Sequence, residues 1–163
     1  MLPAPATPAK PAPKPPALRA ILWGGLLCGT LDALFAIVLW GTMRGVAPGR
    51  VLRAIAGGLL GPEAFQGGAG MTALGLALHF VIALGAAATF VSAARILPVL
   101  AKRPAISGAL FGLAVYFFMN LVVLPLSATP PRAFPPPFFV VGLLGHIAFV
   151  GWPIAWAANR FLK

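Results

Sequence analysis

The chain has 163 residues, of which 60% are hydrophobic and 9% are charged, and its mean hydropathy is +0.97. Roughly a quarter of the residues of a soluble domain are charged, so a water-soluble fold could not cover this sequence with polar surface. Twelve Lys and Arg side chains outnumber two acidic ones, giving a formal net charge of +10, and the cations flank apolar runs instead of forming one patch. This distribution argues against a nucleic-acid-binding protein and favours a membrane protein surrounded by the lipid bilayer.

The N-terminal residues 1–17 alternate proline and alanine. Their seven prolines disfavour a regular helix, so we predict a disordered cytoplasmic tail. The apolar run that follows, residues 18–43, is too long for the core of a signal peptide and carries Asp32 in its middle. We therefore predict a retained first membrane span. Cys28, the single cysteine, is expected to be a small buried residue at a helix contact.

The next segment, residues 44–70, contains the stretch GRVLRAIAGGLL. Its large apolar residues fall on one helical face: Val51, Leu52, Ile55, Leu59 and Leu60. This pattern predicts a short amphipathic helix in the membrane interface, either a lipid-seated connector or a lid or docking element. The charged side chains of this interfacial loop are Arg44, Arg50, Arg53 and Glu63. We expect the carboxylate to cap a helix or to pair with Arg50 or Arg53.

Three further apolar runs have the roughly 20 residues that a helix needs to cross the hydrocarbon core. They are residues 71–96, 105–126 and 140–161. Because lipid offers no partner to an unpaired backbone group, each run is predicted to be a helix. The sequence therefore predicts an all-α membrane protein in which residues 18–163 form one four-helix transmembrane domain.

Prolines interrupt the second half of the chain. Pro153 is expected to kink the fourth span, whereas Pro125 lies near the end of the third, where a proline is less disruptive. Five prolines within residues 127–139 favour a stiff, polyproline-like connection between these spans.

Lys and Arg side chains set the predicted orientation, because cytoplasmic loops carry an excess of them. With the N-terminus in the cytoplasm, eight of the twelve lie on the cytoplasmic side. The four on the other side are Arg44, Arg50, Arg53 and Arg132. We therefore predict that both termini are cytoplasmic. Trp40 at the outer end of the first span, and Trp23 and Trp156 toward inner ends, fit aromatic belts at the two interfaces.

Small residues recur at helix-contact spacing. Gly25 and Gly29 of the first span, like Gly108 and Gly112 of the third, form Gly-xxx-Gly pairs that let helix backbones approach closely. The spacing does not separate contacts within one chain from contacts between subunits. A homo-oligomer and a membrane-protein partner therefore both stay open.

At a rise of about 1.5 Å per residue, each span places one strongly polar side chain in the outer half of the bundle. They are Asp32, His79, Asn120 and His146. Since contact with lipid is costly for such groups, we expect them to face inward and toward one another. The sequence thus predicts an intramembrane polar centre.

Three interpretations of this centre are open. In the first it is a structural network, in which Asp32 accepts hydrogen bonds from His79 or Asn120 and fixes the helix register. In the second it handles protons or ions, as a carboxylate beside histidine can. In the third two histidines and a carboxylate bind a metal, but no local ligand spacing supports this, so neither metal nor cofactor is predicted.

The runs TLDALFAIVLWGTMRGVAPGRVLRAIAGGLLG, LGLALHF and MNLVVLPLS carry a resemblance to a known group. Over residues 21–160 the chain resembles small uncharacterised bacterial inner-membrane proteins, the YagU-like membrane proteins. The resemblance implies a multi-pass, four-span protein of the bacterial inner (cytoplasmic) membrane with no assigned reaction. The matching polar positions are Asp32, Arg44, Arg50, His79 and Asn120, and the resemblance gives them no role.

These patterns favour a non-enzymatic integral membrane protein. The leading hypothesis is a small channel- or transporter-like unit, or an accessory subunit of one, with Asp32 and His79 at its polar centre. The alternative is a structural subunit that stabilises a larger membrane complex through the glycine pairs and the interfacial helix. An embedded enzyme is least supported, since the chain shows no phosphate-binding glycine loop, no clustered nucleophile and base, and no pair of acids on one face.

Overall fold

The computed structural model describes residues 15–129 and 136–163, and every regular element in these two segments is helical. Four described helices are long and apolar enough to cross a membrane: Pro16–Arg44, Ala69–Ile96, Pro104–Leu126 and Pro137–Phe161. The predicted all-α, four-span fold is therefore confirmed. Most of the predicted N-terminal tail lies outside the described residues, as does Arg132.

The helices are labelled in chain order. The first span is α1 (Pro16–Arg44); α2 (Pro48–Leu60) and a 3₁₀ turn (Gly61–Phe65) follow, and the second span is α3 (Ala69–Ile96). The short α4 (Val99–Lys102) leads to the third span, which consists of α5 (Pro104–Phe118), a π-helical turn (Met119–Val123) and α6 (Leu124–Leu126). The fourth span consists of α7 (Pro136–Gly145), a π-helical turn (His146–Gly151) and α8 (Trp152–Phe161).

The start of α7 corrects one prediction. Residues 136–139 are helical, although the sequence pattern favoured an extended connection through residue 139. The N–H groups of a first helical turn have no acceptor within the helix, so the missing proline N–H removes no bond there. Proline's fixed φ also suits a helix start, which explains why the helix begins among prolines.

Helix α1 packs along its length against both α3 and the fourth span. On the α3 side, a Cβ added to Gly25 would lie 2.9 Å from the Cα of Leu84. On the other side, one added to Gly24 would lie 3.4 Å from the Cα of Ile154. The approach at Gly25 leaves no room for a side chain, whereas the one at Gly24 is an ordinary close contact.

The second glycine pair joins the third and fourth spans. A Cβ on Gly112 would lie 2.5 Å from the carbonyl oxygen of His146, and one on Gly108 would lie 3.0 Å from that of Gly151. Both Gly-xxx-Gly pairs, Gly25 with Gly29 and Gly108 with Gly112, thus form contacts within one chain. The sequence pattern alone had left that question open.

Each π-helical turn comes shortly before a proline: Met119–Val123 before Pro125, and His146–Gly151 before Pro153. A proline has no N–H to donate, and its ring clashes with the carbonyl four residues earlier. A wider turn in which bonds reach five residues accommodates both effects. Pro153 was expected to kink the fourth span, and the helix there is locally widened into the π-helical turn that begins at His146.

The two ends of the bundle differ. The terminal end holds both termini of the described chain together with α4, as the contact between Arg19 and Phe161 shows. The opposite end, the α2 end, holds α2 and the 3₁₀ turn. Helix α1 ends there at Arg44. The next residue, Gly45, has a left-handed φ of 63°, and the chain then turns into α2.

Helix α2 lies across the α2 end and connects two spans. Its backbone approaches α3 so closely that a Cβ on Gly75 would overlap the carbonyl group of Leu52. At its other end the carbonyl of Gly58 accepts a hydrogen bond from the N–H of Ala128, just beyond the third span, at 2.9 Å. Leu59 on its outer side stays 65% exposed. The predicted amphipathic helix is thus present, and part of its apolar face packs on protein.

Candidate functional site

A partly open cavity of about 100 Å³ lies among the four spans. Three of its lining side chains are polar: Asp32 of α1, His79 of α3 and His146 of the fourth span. Its apolar lining includes Ile55, Ile82, Val115, Met119 and Val150. Ile55 belongs to α2, so this helix supplies the wall toward the α2 end. The sequence predicted a shared polar centre, and the fold brings three of its four members to one space.

Asp32 lies near the middle of α1 and is half-buried. Among the described residues, none forms an ion pair or a hydrogen bond with its carboxylate. The chain has one other acid, Glu63, at the α2 end, so Asp32 is the only acidic side chain in a described span. A carboxylate within apolar surroundings is costly unless water or a cation satisfies it. The cavity provides the space for either.

His79 connects the two spans that meet beside Asp32. Its Nε2 lies 2.8 Å from the carbonyl oxygen of Gly29, one turn before Asp32 on α1. Because a carbonyl only accepts, Nε2 carries the proton of this bond, and in the neutral ring Nδ1 remains an acceptor. His79 therefore links the helices through one ring nitrogen and keeps the other for a further partner.

His146 is held within its own span. Its Nδ1 donates to the carbonyl oxygen of Gly142 at 2.9 Å, so Nε2 is the acceptor of the neutral ring. The ring also meets the edge of Tyr116, with centroids 5.1 Å apart. Tyr116 is itself only 4% exposed and donates its hydroxyl proton to the carbonyl of Phe139 at 3.1 Å. Tyr116 thus fixes the position of the His146 imidazole against the third span.

Asn120 is the predicted member that the fold leaves out. Its side-chain amide donates to the carbonyl of Tyr116, one turn earlier in the same span, at 2.8 Å. It does not line the cavity. The π-helical turn that contains Asn120 brings Met119 to the cavity instead.

The predicted structural network has a different form in the fold. Neither His79 nor Asn120 donates to Asp32; the N–H of His79 bonds to the carbonyl of Gly29, and one N–H of the Asn120 amide bonds to that of Tyr116. A hydrogen bond still links α1 to α3, but it joins the His79 side chain to the backbone carbonyl of Gly29. In the described part of the chain, no group of three or more His, Cys, Asp or Glu side chains is arranged to hold a metal ion.

Cys28 lines the same cavity and is 2% exposed. It lies one turn from Asp32 on α1, where spacing of four residues puts both on one face. The predicted burial of this thiol at a helix contact is confirmed. Its position on the cavity could not be inferred from the sequence.

The arginines of the predicted interfacial loop contact aromatic rings and backbone. The guanidinium carbon of Arg44 lies 5.0 Å from the ring centroid of Phe138, and that of Arg50 lies 5.0 Å from the centroid of Phe65. Arg53 donates from Nη1 to the carbonyl of Gly67 at 2.6 Å, so it ties α2 to the start of α3.

Glu63 does not take the role expected for it. It lies exposed in the 3₁₀ turn, and in the described residues its carboxylate pairs with neither Arg50 nor Arg53. The 3₁₀ turn shows no side-chain cap. Arg50 and Arg53 are instead directed to an aromatic ring and to a backbone carbonyl, as cation–π and charge-assisted contacts permit.

Sequence reasoning missed the polar contacts near the terminal end. Asn159 donates to the carbonyl of Ala101 at 2.6 Å, and Ser107 donates to that of Leu100 at 2.6 Å. Both bonds fix α4 against the spans. The bond from the Tyr116 hydroxyl to the carbonyl of Phe139 was also missed, although a single tyrosine within an apolar run is itself a signal that its hydroxyl has a partner.

Comparison of the chain with known protein families, curated proteins and solved structures finds no match.

Proposed function

We propose that this chain is a small channel- or transporter-like unit of a bacterial inner membrane, with the polar cavity as its centre. The observation that carries the proposal is the carboxylate of Asp32 on a cavity among four apolar spans, without a hydrogen-bond or ionic partner among the described residues. Ionisable groups at such depth are rare and mark pathways for ions or protons. No chemical conversion is part of the proposal.

The chemistry of the cavity suits a proton or a small cation. About 100 Å³ admits a few water molecules, each of which occupies roughly 30 Å³ in the liquid. Asp32 offers the negative charge. The bonds to Gly29 and Gly142 use Nε2 of His79 and Nδ1 of His146, so the other nitrogen of each ring can accept a proton or a hydrogen bond. A water-filled space between a carboxylate and two imidazoles can pass protons from one group to the next.

Helix α2 is proposed to control access from its end of the bundle. Ile55 contributes a wall of the cavity, and α2 is anchored on α3 and beyond the third span. Movement of this wall would open the cavity toward the α2 end. Movement of a short docked helix is a smaller change than separation of the spans, which are joined through close glycine contacts.

The location in a bacterial inner membrane rests on the resemblance to the YagU-like proteins and on the charge distribution. Both termini of the described chain are at the terminal end, and that end carries the excess of Lys and Arg. We propose that it faces the cytoplasm. A fluorescent protein fused to the C-terminus is expected to be fluorescent, and alkaline phosphatase fused there inactive; the reverse pattern would contradict the orientation.

The test of the activity is proton movement into vesicles that contain the purified protein and a pH-sensitive dye. Asp32→Asn is expected to abolish a flux that the wild-type chain supports. Glu63→Gln is the matched control, because it neutralises the other acid, which is exposed and does not line the cavity. Circular dichroism and gel filtration check that both variants are folded. Equal fluxes for wild type, Asp32→Asn and empty vesicles would sink the proposal for protons, and repeating the assay with a sodium dye extends the test to small cations.

A second candidate is an accessory subunit that stabilises a larger membrane complex. The third span favours it, because this span is the least buried of the four within the chain. A homo-oligomer would cover the same face. Extraction in a mild detergent is expected to recover a partner in fixed stoichiometry, or a multiple of the chain's 16.8 kDa. A monodisperse monomer under those conditions would count against this candidate.

A further inference from the structure

Two arginines converge on one aromatic ring at the terminal end. The guanidinium carbon of Arg19, on α1, lies 4.9 Å from the ring centroid of Phe161 on α8. The guanidinium carbon of Arg160 lies 5.9 Å from the same centroid. Both arginines are exposed. Two positive groups from adjacent helices therefore lie around one ring.

No acidic side chain is near to balance them. The chain contains two acids, and Glu63 lies at the α2 end. Asp32 is thirteen residues beyond Arg19 on α1, about 20 Å along a helix at about 1.5 Å per residue. Two cations without a carboxylate nearby attract an anion, and guanidinium groups form their strongest hydrogen bonds with one.

A tryptophan lies one turn farther into the span on each helix. Trp23 follows Arg19 by four residues on α1, and Trp156 precedes Arg160 by four on α8. This spacing puts each indole on the same helix face as its arginine and about 6 Å deeper. The indoles are 59% and 52% exposed, so neither is used for packing in the interior.

The order of these groups matches that of a phospholipid. Phosphate lies at the level of arginines near a helix end, and the glycerol and upper acyl chain lie at the level where indole rings are enriched. We propose that Arg19, Arg160 and Phe161, with Trp23 and Trp156 below them, form a binding site for one anionic phospholipid. The phosphate accepts hydrogen bonds from both guanidinium groups, and the acyl chain packs between the two indoles. This site is independent of the cavity and of any flux through it.

The purified protein in detergent provides the test, with bound lipid counted by native mass spectrometry during titration. Phosphatidylglycerol is expected to bind with a one-to-one component that phosphatidylcholine does not reproduce. The double variant Arg19→Gln, Arg160→Gln is expected to weaken this binding about tenfold or more, because each cation near an anionic lipid adds to the attraction. The matched control Arg95→Gln, Lys102→Gln removes the same charge from exposed positions of the same end and is expected to keep the affinity.

Other results would overturn the site. Equal weakening by the control pair would mean that only the total charge attracts lipid. Inorganic phosphate that competes fully with phosphatidylglycerol would mean that an anion alone is bound, whereas Trp23→Leu, Trp156→Leu is expected to weaken lipid binding. Arg19→Lys, Arg160→Lys keeps the charge and covers the case in which the glutamine pair does not fold; unchanged selectivity in it would show that the paired guanidinium geometry is not used.

Discussion

The Nε2 atom of His79 lies 2.8 Å from the carbonyl oxygen of Gly29 and links α3 to α1 beside the cavity. Gly29 can be approached because it has no side chain: a Cβ there would lie 2.8 Å from the ring of Phe80. The glycine therefore serves two purposes, since it admits the neighbouring helix and leaves its carbonyl open to a side chain. Cavity and helix contact are built by the same residues.

Removing this bond is expected to weaken the contact between the first two spans. His79→Leu should lower the free energy of unfolding by about 0.5–2 kcal/mol, the range for hydrogen bonds between membrane helices. Titration with a denaturing detergent, followed by circular dichroism, measures this. His146→Leu is the comparison, because the bond of His146 to Gly142 stays within one span. A larger loss for His146→Leu than for His79→Leu would contradict the role given to His79.

Displacing α2 is expected to expose the cavity. Gly75→Val would place side-chain atoms where the Leu52 carbonyl lies, so α2 must move and carry Ile55 with it. Cys28, the single cysteine, reports on this because it lines the cavity and is 2% exposed. Its labelling by a small maleimide should be at least about fivefold faster in the variant, as follows from a strain of about 1 kcal/mol or more.

Gly70→Val is the control for that measurement. Gly70 is on the same helix, and nothing lies within 4 Å of a Cβ added there. In the Gly70→Val variant, maleimide should label Cys28 as slowly as in the wild-type chain. Equal labelling rates for Gly75→Val and wild type would show that α2 does not limit access.

Filling the contact between the third and fourth spans is expected to destabilise the fold. Gly112→Val must displace the backbone at His146, whose carbonyl would be 2.5 Å from the new Cβ. Overpacking costs about 1–3 kcal/mol, and a clash with backbone belongs at the upper part of that range. Gly85→Val, exposed with nothing within 4 Å, is expected to leave the unfolding midpoint unchanged. Equal midpoints for the two variants would refute the close packing of these spans.

The connection through α4 is expected to depend on Asn159. Asn159→Ala removes the bond to the Ala101 carbonyl and should speed tryptic cleavage after Lys102; the bond after Arg103 precedes Pro104 and resists trypsin. Trypsin cleaves the locally opened form, so the cleavage rate follows the population of that form. If the variant loses about 1 kcal/mol of local stability, cleavage should be roughly fivefold faster. Thr89→Ala removes a hydroxyl that bonds within its own helix and should have no effect on this cleavage. Unchanged cleavage in Asn159→Ala would contradict a role for this bond in holding α4.

Helix number and approximate bounds follow from the sequence, because in lipid a run of about 20 apolar residues has few alternatives to a helix. The first span begins two residues before its predicted start, at Pro16, and the second begins at Ala69, two residues before residue 71. The fourth begins earlier still, among prolines that suit a first turn. The short helix after the first span was also evident, from its one-sided apolar pattern.

The sequence by itself determined that Asp32, His79 and His146 would avoid lipid, because burying a polar group without a partner is costly wherever it lies. Only the tertiary structure decided which of them bond to protein groups and which groups those are. His79 bonds to a backbone carbonyl that a glycine exposes, while Asn120 bonds to its own span and leaves the cavity to Met119. The spacing of residues along one helix does not predict these bonds. They depend on how closely neighbouring backbones approach and on where the prolines widen a turn.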